Sequence, residues 1–212
     1  MKQTNKREPL SRERILIAAL ALADREGLEA ISMRRIADDL GVEAMSLYNH
    51  VANKAAILDG LVEAVLAELG PAAEVSSWKS ALRERSMALR AVLAKHPAVL
   101  MVFATRAAVT QASIAHVEST LGVLHGAGFS TSDALSALHV LRAYVVGHCL
   151  ASFATRPRDE LSVPAYASLA EEKFFFVRKT AAILATHDVE REFELGLKAL
   201  LRGLGKLRVP KV

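Results

Sequence analysis

The chain has 212 residues, 52% of them hydrophobic, with a formal net charge of +4, one cysteine and seven histidines. Ala and Leu dominate and prolines are few, so the composition favours one large or two small helical domains and argues against a sheet. The lone Cys149 excludes an internal disulfide and fits a reducing compartment, while so mild a net charge permits nucleic-acid binding without arguing for it. The N-terminus is polar, with no apolar leader, and no run of about 18 uncharged apolar residues is present. The expectation is a cytoplasmic protein with no membrane partner.

In chain order, Met1 to Leu10 is a polar arm, expected to be disordered, whose Lys2, Lys6 and Arg7 suit DNA phosphate. Ser11 is placed to cap a first helix ending at Glu26, before Gly27. Ser32 is placed to cap a second over Met33 to Leu40, with Ile36, Ala37 and Leu40 on one apolar face. Gly41 then stands where a helix end wants positive φ. A third helix follows over about Ala44 to His50, its Leu47 and Val51 turned inward. Asn53 starts a fourth, Lys54 to Leu69, stopped by Gly70-Pro71. Beyond it the pattern predicts helices over 77–95, 110–127, 132–154, 165–186 (with a possible break) and 189–205, plus a short apolar segment at 98–106 and a polar loop from Thr155 to Pro164. The fold class is all-α. The expected division is an arm at 1–10, a reader domain at 11–54, a connecting helix at 55–70 and a second domain at 71–212.

Two short helices around a glycine turn have the layout of a helix-turn-helix, whose second helix enters the DNA major groove. The outward residues suit that task. Ser46, Asn49 and His50 can hydrogen-bond to bases or phosphates, Tyr48 can reach a phosphate, and Met45 can touch a thymine methyl. Lys54 opens a helix, where a phosphate would also meet free N–H groups. Spacing alone leaves a plain helical hairpin open.

The residues themselves are similar to those of the TetR family of transcriptional regulators. The likeness runs through Arg12-Glu13-Arg14-Ile15-Leu16, Gly27-Leu28, Ser32-Met33-Arg34-Arg35-Ile36-Ala37, Leu40-Gly41-Val42, Ser46-Leu47-Tyr48-Asn49-His50-Val51 and Asn53-Lys54. The segment from Gly128, and the closing Phe193 to Leu204, resemble the subgroup that contains the tetracycline-responsive repressors. The resemblance implies Arg34 as a further DNA contact. It also implies a palindromic double-stranded operator, and a homodimer built on the helices near 132–154 and 189–204. Repression is the usual mode, with the fourth helix joining reader to regulatory body.

No HExxH, CxxC, G-x-S-x-G or phosphate-cradling glycine loop is present, so neither an enzyme nor a metal or other cofactor is expected. His139 and His148 lie about two and a half turns apart on one predicted helix, too far to share a ligand. The second domain is expected to bind a small hydrophobic effector. The candidates are Trp78, Val102, Phe103, Arg106, His139, Tyr144, His148, Tyr166 and Phe175, aromatic walls with a few polar handles. Tetracycline–magnesium fits poorly. Where the resemblance asks for a histidine shortly before a Thr-Arg pair this chain has Val102, and where it asks for an acid after a helix glycine it has Ala151. That leaves an uncharged or weakly polar molecule. The alternative reading is a helical binding protein or enzyme with a vestigial reader.

Overall fold

A computed structural model describes residues 9–70, 77–153, 166, 168–184 and 186–208. Most of the N-terminal arm and the predicted loop from Thr155 to Pro164 lie outside them. All regular structure among the described residues is helical. The helices are α1 (Arg12–Glu26), α2 (Met33–Leu40), α3 (Ala44–Leu47), α4 (Lys54–Ala67), α5 (Trp78–Lys95), α6 (Leu100–Thr105), α7 (Gln111–Gly126), α8 (Thr131–Phe153), α9 (Glu171–Leu184) and α10 (Val189–Leu204).

Ser11, Ser32 and Asn53 cap their helices as the sequence predicts. Ser11, Ser32, Asn53, Ser77 and Asp188 each accept a bond from the backbone N–H three residues on, removing one unsatisfied donor per helix start. Gly41 takes the left-handed conformation, φ 64 and ψ 39, which only glycine adopts without strain. Its neighbour Val42 donates back to Ala37 O, closing the turn between α2 and α3.

The third helix is shorter than the sequence pattern predicts. It ends at Leu47, and Tyr48 to His50 continue as a hydrogen-bonded turn through His50 N and Val51 N to Leu47 O, both 2.9 Å. Tyr, Asn and His are weak helix formers, and the chain must leave the helix before Asn53 can cap α4. The break allowed for in the 165–186 segment is present: α9 starts at Glu171 and is interrupted at Phe174, φ −129 and ψ 36.

α4 is the joint of the molecule. It packs on α1 on one side and on α5, α6 and α7 on the other. Ile57, Gly60, Leu61, Val62, Val65 and Leu66 are all buried. Gly60 allows this, since a Cβ there would sit 2.2 Å from a Leu16 methyl. Glu63 ties α4 to α1 through Arg12, at 2.6 Å. Burial raises the Glu63 pKa, but hydrogen bonds from Arg12 and Thr110 bring it below the ordinary value. A second tie lies at the other end. His96 bridges Asp24 of α1 (2.6 Å) and Glu68 (2.7 Å) just past α4.

α8 is the centre of the larger part, packed on α5, α6, α7 and α10. By length and composition it could cross a membrane, although it contains no run of about 18 uncharged apolar residues. Its packing partners account for that apolarity within the fold. Gly196 of α10 serves contact within the chain: a Cβ there would run into the Tyr144 hydroxyl. Arg90 is buried between the Phe153 and Phe193 rings, 5.1 and 4.9 Å from their centroids, and pairs with Glu190. Cys149 beside them is fully buried, and desolvation pushes its thiol up to about 11. At pH 8 the native thiol should react with a soluble disulfide reagent on the order of 10²-fold more slowly than a free thiol. Unfolding should restore the rate. Because the native state holds this proton longer than the unfolded chain, Cys149 should also lower stability as pH rises past the ordinary thiol value. Fast labelling of the folded protein would contradict both.

Candidate nucleic-acid interface and internal cavity

The reader is built from short helices held by few side chains. Leu47 and Val51 anchor α3 in the same core as Ile36 and Ala37 of α2. Outside that core, Arg25, Glu26, Arg35 and Asp39 form a surface network joining α1 to α2, with Arg35 to Glu26 at 2.5 Å and Arg25 to Asp39 at 2.8 Å. Arg25 and Arg35 are therefore occupied. Arg34 and Lys54 are exposed and, among the described residues, have no acidic partner. Met45 and Tyr48 are also exposed, at 72% and 47%. Asn49 and His50 are exposed, and Ser46 is half-buried. Exposed Met45 and Tyr48 just after a tight turn, with exposed cations at Arg34 of α2 and Lys54 of α4, can meet a phosphate backbone and base edges.

The described part of the larger region contains a cavity of about 770 Å³, solvent mouth included. Four helices wall it with one spacing: Val62, Leu66 and Leu69 along and just beyond α4; Leu82, Arg85, Ser86 and Leu89 from α5; Ser113, His116, Val117 and Thr120 from α7; Leu138, Leu141, Arg142 and Val145 from α8. Each set falls at i, i+3 or i+4, and i+7, one helical face. Phe103 of α6 and Ala108 close the end.

Of the nine sequence candidates, Phe103 lines this cavity. The others sit elsewhere. Val102 is buried beside it on α6. Arg106 reaches α4 and donates to Asp59 Oδ1 (2.6 Å) and Ala55 O (3.2 Å). Trp78 packs edge-on against Phe129, centroids 5.0 Å apart. Tyr144 turns to α10, where its ring stacks on Phe193 at 5.3 Å and its hydroxyl donates to Phe193 O at 2.9 Å. The His148 ring meets Phe193 edge-on at 5.0 Å. His139, Tyr166 and Phe175 are exposed. The sequence did carry a signal for the lining of this cavity. The stripe on α7 is Ser, His, Val, Thr and that on α5 is Leu, Arg, Ser, Leu, each a polar-containing row where a closed core would be apolar throughout.

Two polar groups of the wall differ in what they do. Arg142 Nη2 donates to Phe103 O (2.6 Å) and Arg106 O (2.9 Å), capping the end of α6. Arg85 Nη2 donates to Nδ1 of His116. Burial, then the Arg85 charge, push the His116 pKa below the ordinary histidine value. The ring is therefore neutral at pH 7, with its proton on Nε2. Burial alone lowers Arg85. Among the described residues no group of three His, Cys, Asp or Glu side chains could hold a metal.

Comparison with known proteins agrees with this layout. Residues 15–61 match the family model of bacterial regulatory proteins of the tetR family, and 70–208 match the tetracyclin repressor-like C-terminal domain. An HTH-type transcriptional regulator of Saccharopolyspora erythraea is 34% identical over 75% of this chain and 68% of its own length. The class D tetracycline repressor of Escherichia coli is 32% identical over 92% of this chain and 88% of its own. Among solved structures, Streptomyces coelicolor ActR in complex with (S)-DNPA superposes with a TM-score of 0.81 at 27% identity, covering 95% of this chain and all of that one. A TetR of Acinetobacter baumannii in complex with minocycline superposes at 0.78 with 28% identity, over 96% and 98%. With a family model over each part of the chain, curated relatives above 30% identity and the same fold in solved structures, the chain belongs to the TetR family, as a ligand-responsive DNA-binding transcriptional regulator.

Proposed function

We propose that this regulator is a repressor, bound to a palindromic operator as a homodimer and released by a small organic effector in the cavity between α4, α5, α7 and α8. The observation that carries this is the position of α4. Its first residue, Lys54, faces outward beside the reader, and its last turns, at Val62, Leu66 and Leu69, form one wall of the cavity. One rigid element thus touches both ligands. An effector changes operator affinity only by binding unequally to two reader positions, and a rod with one end at each site can carry that difference. The relatives' ligands, (S)-DNPA for ActR and minocycline for the Acinetobacter protein, favour a small organic molecule.

Arg34, Met45, Ser46, Tyr48, Asn49, His50 and Lys54 form the DNA contact set in this reading, and residues 11–54 the reader. The dimer joins α8 and α10 of two copies, where Leu135, Val140 and Leu195 are exposed and where Gly203 has open space beside it. A two-fold pair of readers then suits two half-sites. The fold sits in the cytoplasm, with its operator, and works as a regulator without catalysing a reaction.

The experiment is operator binding, with DNA selected from random sequence. Tyr48→Ala and Lys54→Ala should both fold, since neither side chain is buried. Lys54→Ala should weaken all sequences alike and reduce the salt slope by about 1. Loss of a base-reading side chain such as Asn49 should instead cost roughly 1–3 kcal/mol and relax one base pair. Wild-type binding by both Tyr48→Ala and Lys54→Ala would place the DNA elsewhere.

A further inference from the structure

We infer that the effector is an organic anion, an apolar ring body carrying one ionised acid group, and that Arg85 is the residue that receives the charge. The inference rests on the reading of the cavity as the effector site and replaces the uncharged molecule expected from Val102 and Ala151.

The lining is apolar except at a few points, and no Asp or Glu is among its described residues. It does hold two guanidinium groups. Arg142 is spent on the end of α6, where it donates to two carbonyl oxygens and lies 5.6 Å from the Phe103 ring. Arg85 is in a different position. Among the described residues its hydrogen-bond partner is the His116 ring and no carboxylate pairs with it. A half-buried cation without a counter-charge is costly, and a cavity open to solvent tolerates it only until an apolar ligand displaces the water. A ligand that brings its own negative group turns that cost into a paired, hydrogen-bonded charge. The guanidinium fork offers two parallel donors to such a group.

His116 completes the subsite. With Nδ1 accepting from Arg85, its proton stands on Nε2, so this cavity-lining ring offers a further donor and no positive charge of its own. The pair thus selects for an acceptor-only group. An amine would meet repulsion from Arg85, and a neutral body would leave its charge uncompensated in a dry pocket.

The test uses two fluorescent probes with one ring framework: anilinonaphthalene sulfonate, an anion, and phenylnaphthylamine, which lacks the sulfonate. Wild-type protein should bind the sulfonate on the order of tenfold or more tightly than the neutral probe. Arg85→Met should retain the neutral probe and lose the preference, and Arg85→Lys should keep part of it. Leu138→Trp, which fills the cavity from α8, should abolish both. Equal affinity for the two probes in wild type, or an Arg85→Met protein that loses both alike, would overturn the anion assignment and leave the cavity reading standing. Binding of neither probe, or binding of both undiminished by Leu138→Trp, would overturn the cavity reading and the anion assignment with it.

Discussion

Leu47→Ala is expected to destabilise the reader by about 2–5 kcal/mol and to lower operator affinity on the order of 10²-fold, although Leu47 touches no DNA. The side chain is fully buried, and truncating such a leucine removes its transfer free energy and leaves a cavity. The position is more sensitive than most. α3 has four residues, one turn, which has no stability of its own in water. What holds it is Leu47, with Val51 just after, against Ile36 and Ala37. Loosening it displaces Met45, Ser46, Tyr48, Asn49 and His50 together. Met45→Ala is the control: at 72% exposure it should change stability by no more than about 0.5 kcal/mol while still altering base preference. Thermal unfolding and operator titration of both proteins decide the matter. A Leu47→Ala protein as stable as wild type would mean that α3 is held by something other than this core.

The contrast between α3 and α8 shows what the sequence could and could not say. In the reader each helix has one apolar face, and Ile36, Ala37, Leu47 and Val51 were legible by spacing while Gly41 and the Ser and Asn caps marked the ends. The same residues left Met45, Ser46, Tyr48, Asn49 and His50 on the outside by elimination, Lys54 stood at a helix start, and Arg34 came from the family resemblance. α8 offers no such asymmetry. Apolar residues surround it because it packs against four helices, so period alone cannot tell the cavity side from the α10 side. Choosing by residue type favoured the aromatic Tyr144 and the imidazole of His148, which the fold spends on Phe193. The side that faces the cavity bears Leu138, Leu141, Arg142 and Val145, three of them ordinary core residues. Arg85 and His116, on α5 and α7, are brought together by tertiary packing, and no spacing within either segment records that. Arg106 was selected as a polar handle for a ligand, and its partner Asp59 lies 47 residues away on α4.

Arg106→Ala is expected to leave ligand binding and unliganded operator affinity within a few-fold of wild type while reducing the coupling between them to a few-fold at most. A chain of two arginines runs from the cavity to α4. Arg142, on the cavity wall, holds the carbonyls of Phe103 and Arg106. Arg106 in turn holds Asp59 and the carbonyl of Ala55, the residue that follows Lys54. A ligand that shifts Phe103 or Arg142 is therefore expected to move the end of α6, and the end of α6 is tied to the half of α4 nearest α3. A coupling of about 1–3 kcal/mol would change operator affinity roughly 5–150-fold in the wild type. The ion pair itself is about a quarter exposed at both partners, so removing it should cost only about 0–1 kcal/mol of stability, too little to confuse loss of fold with loss of signal. Asp59→Asn, which keeps the shape and removes the charge, should reproduce the effect in part. The measurement is operator affinity with and without a saturating effector chosen by melting-temperature screening. If Arg106→Ala responds to that effector as wild type does, the signal passes straight from ligand to Leu66 and Leu69, and α4 is pushed at its far end without help from α6.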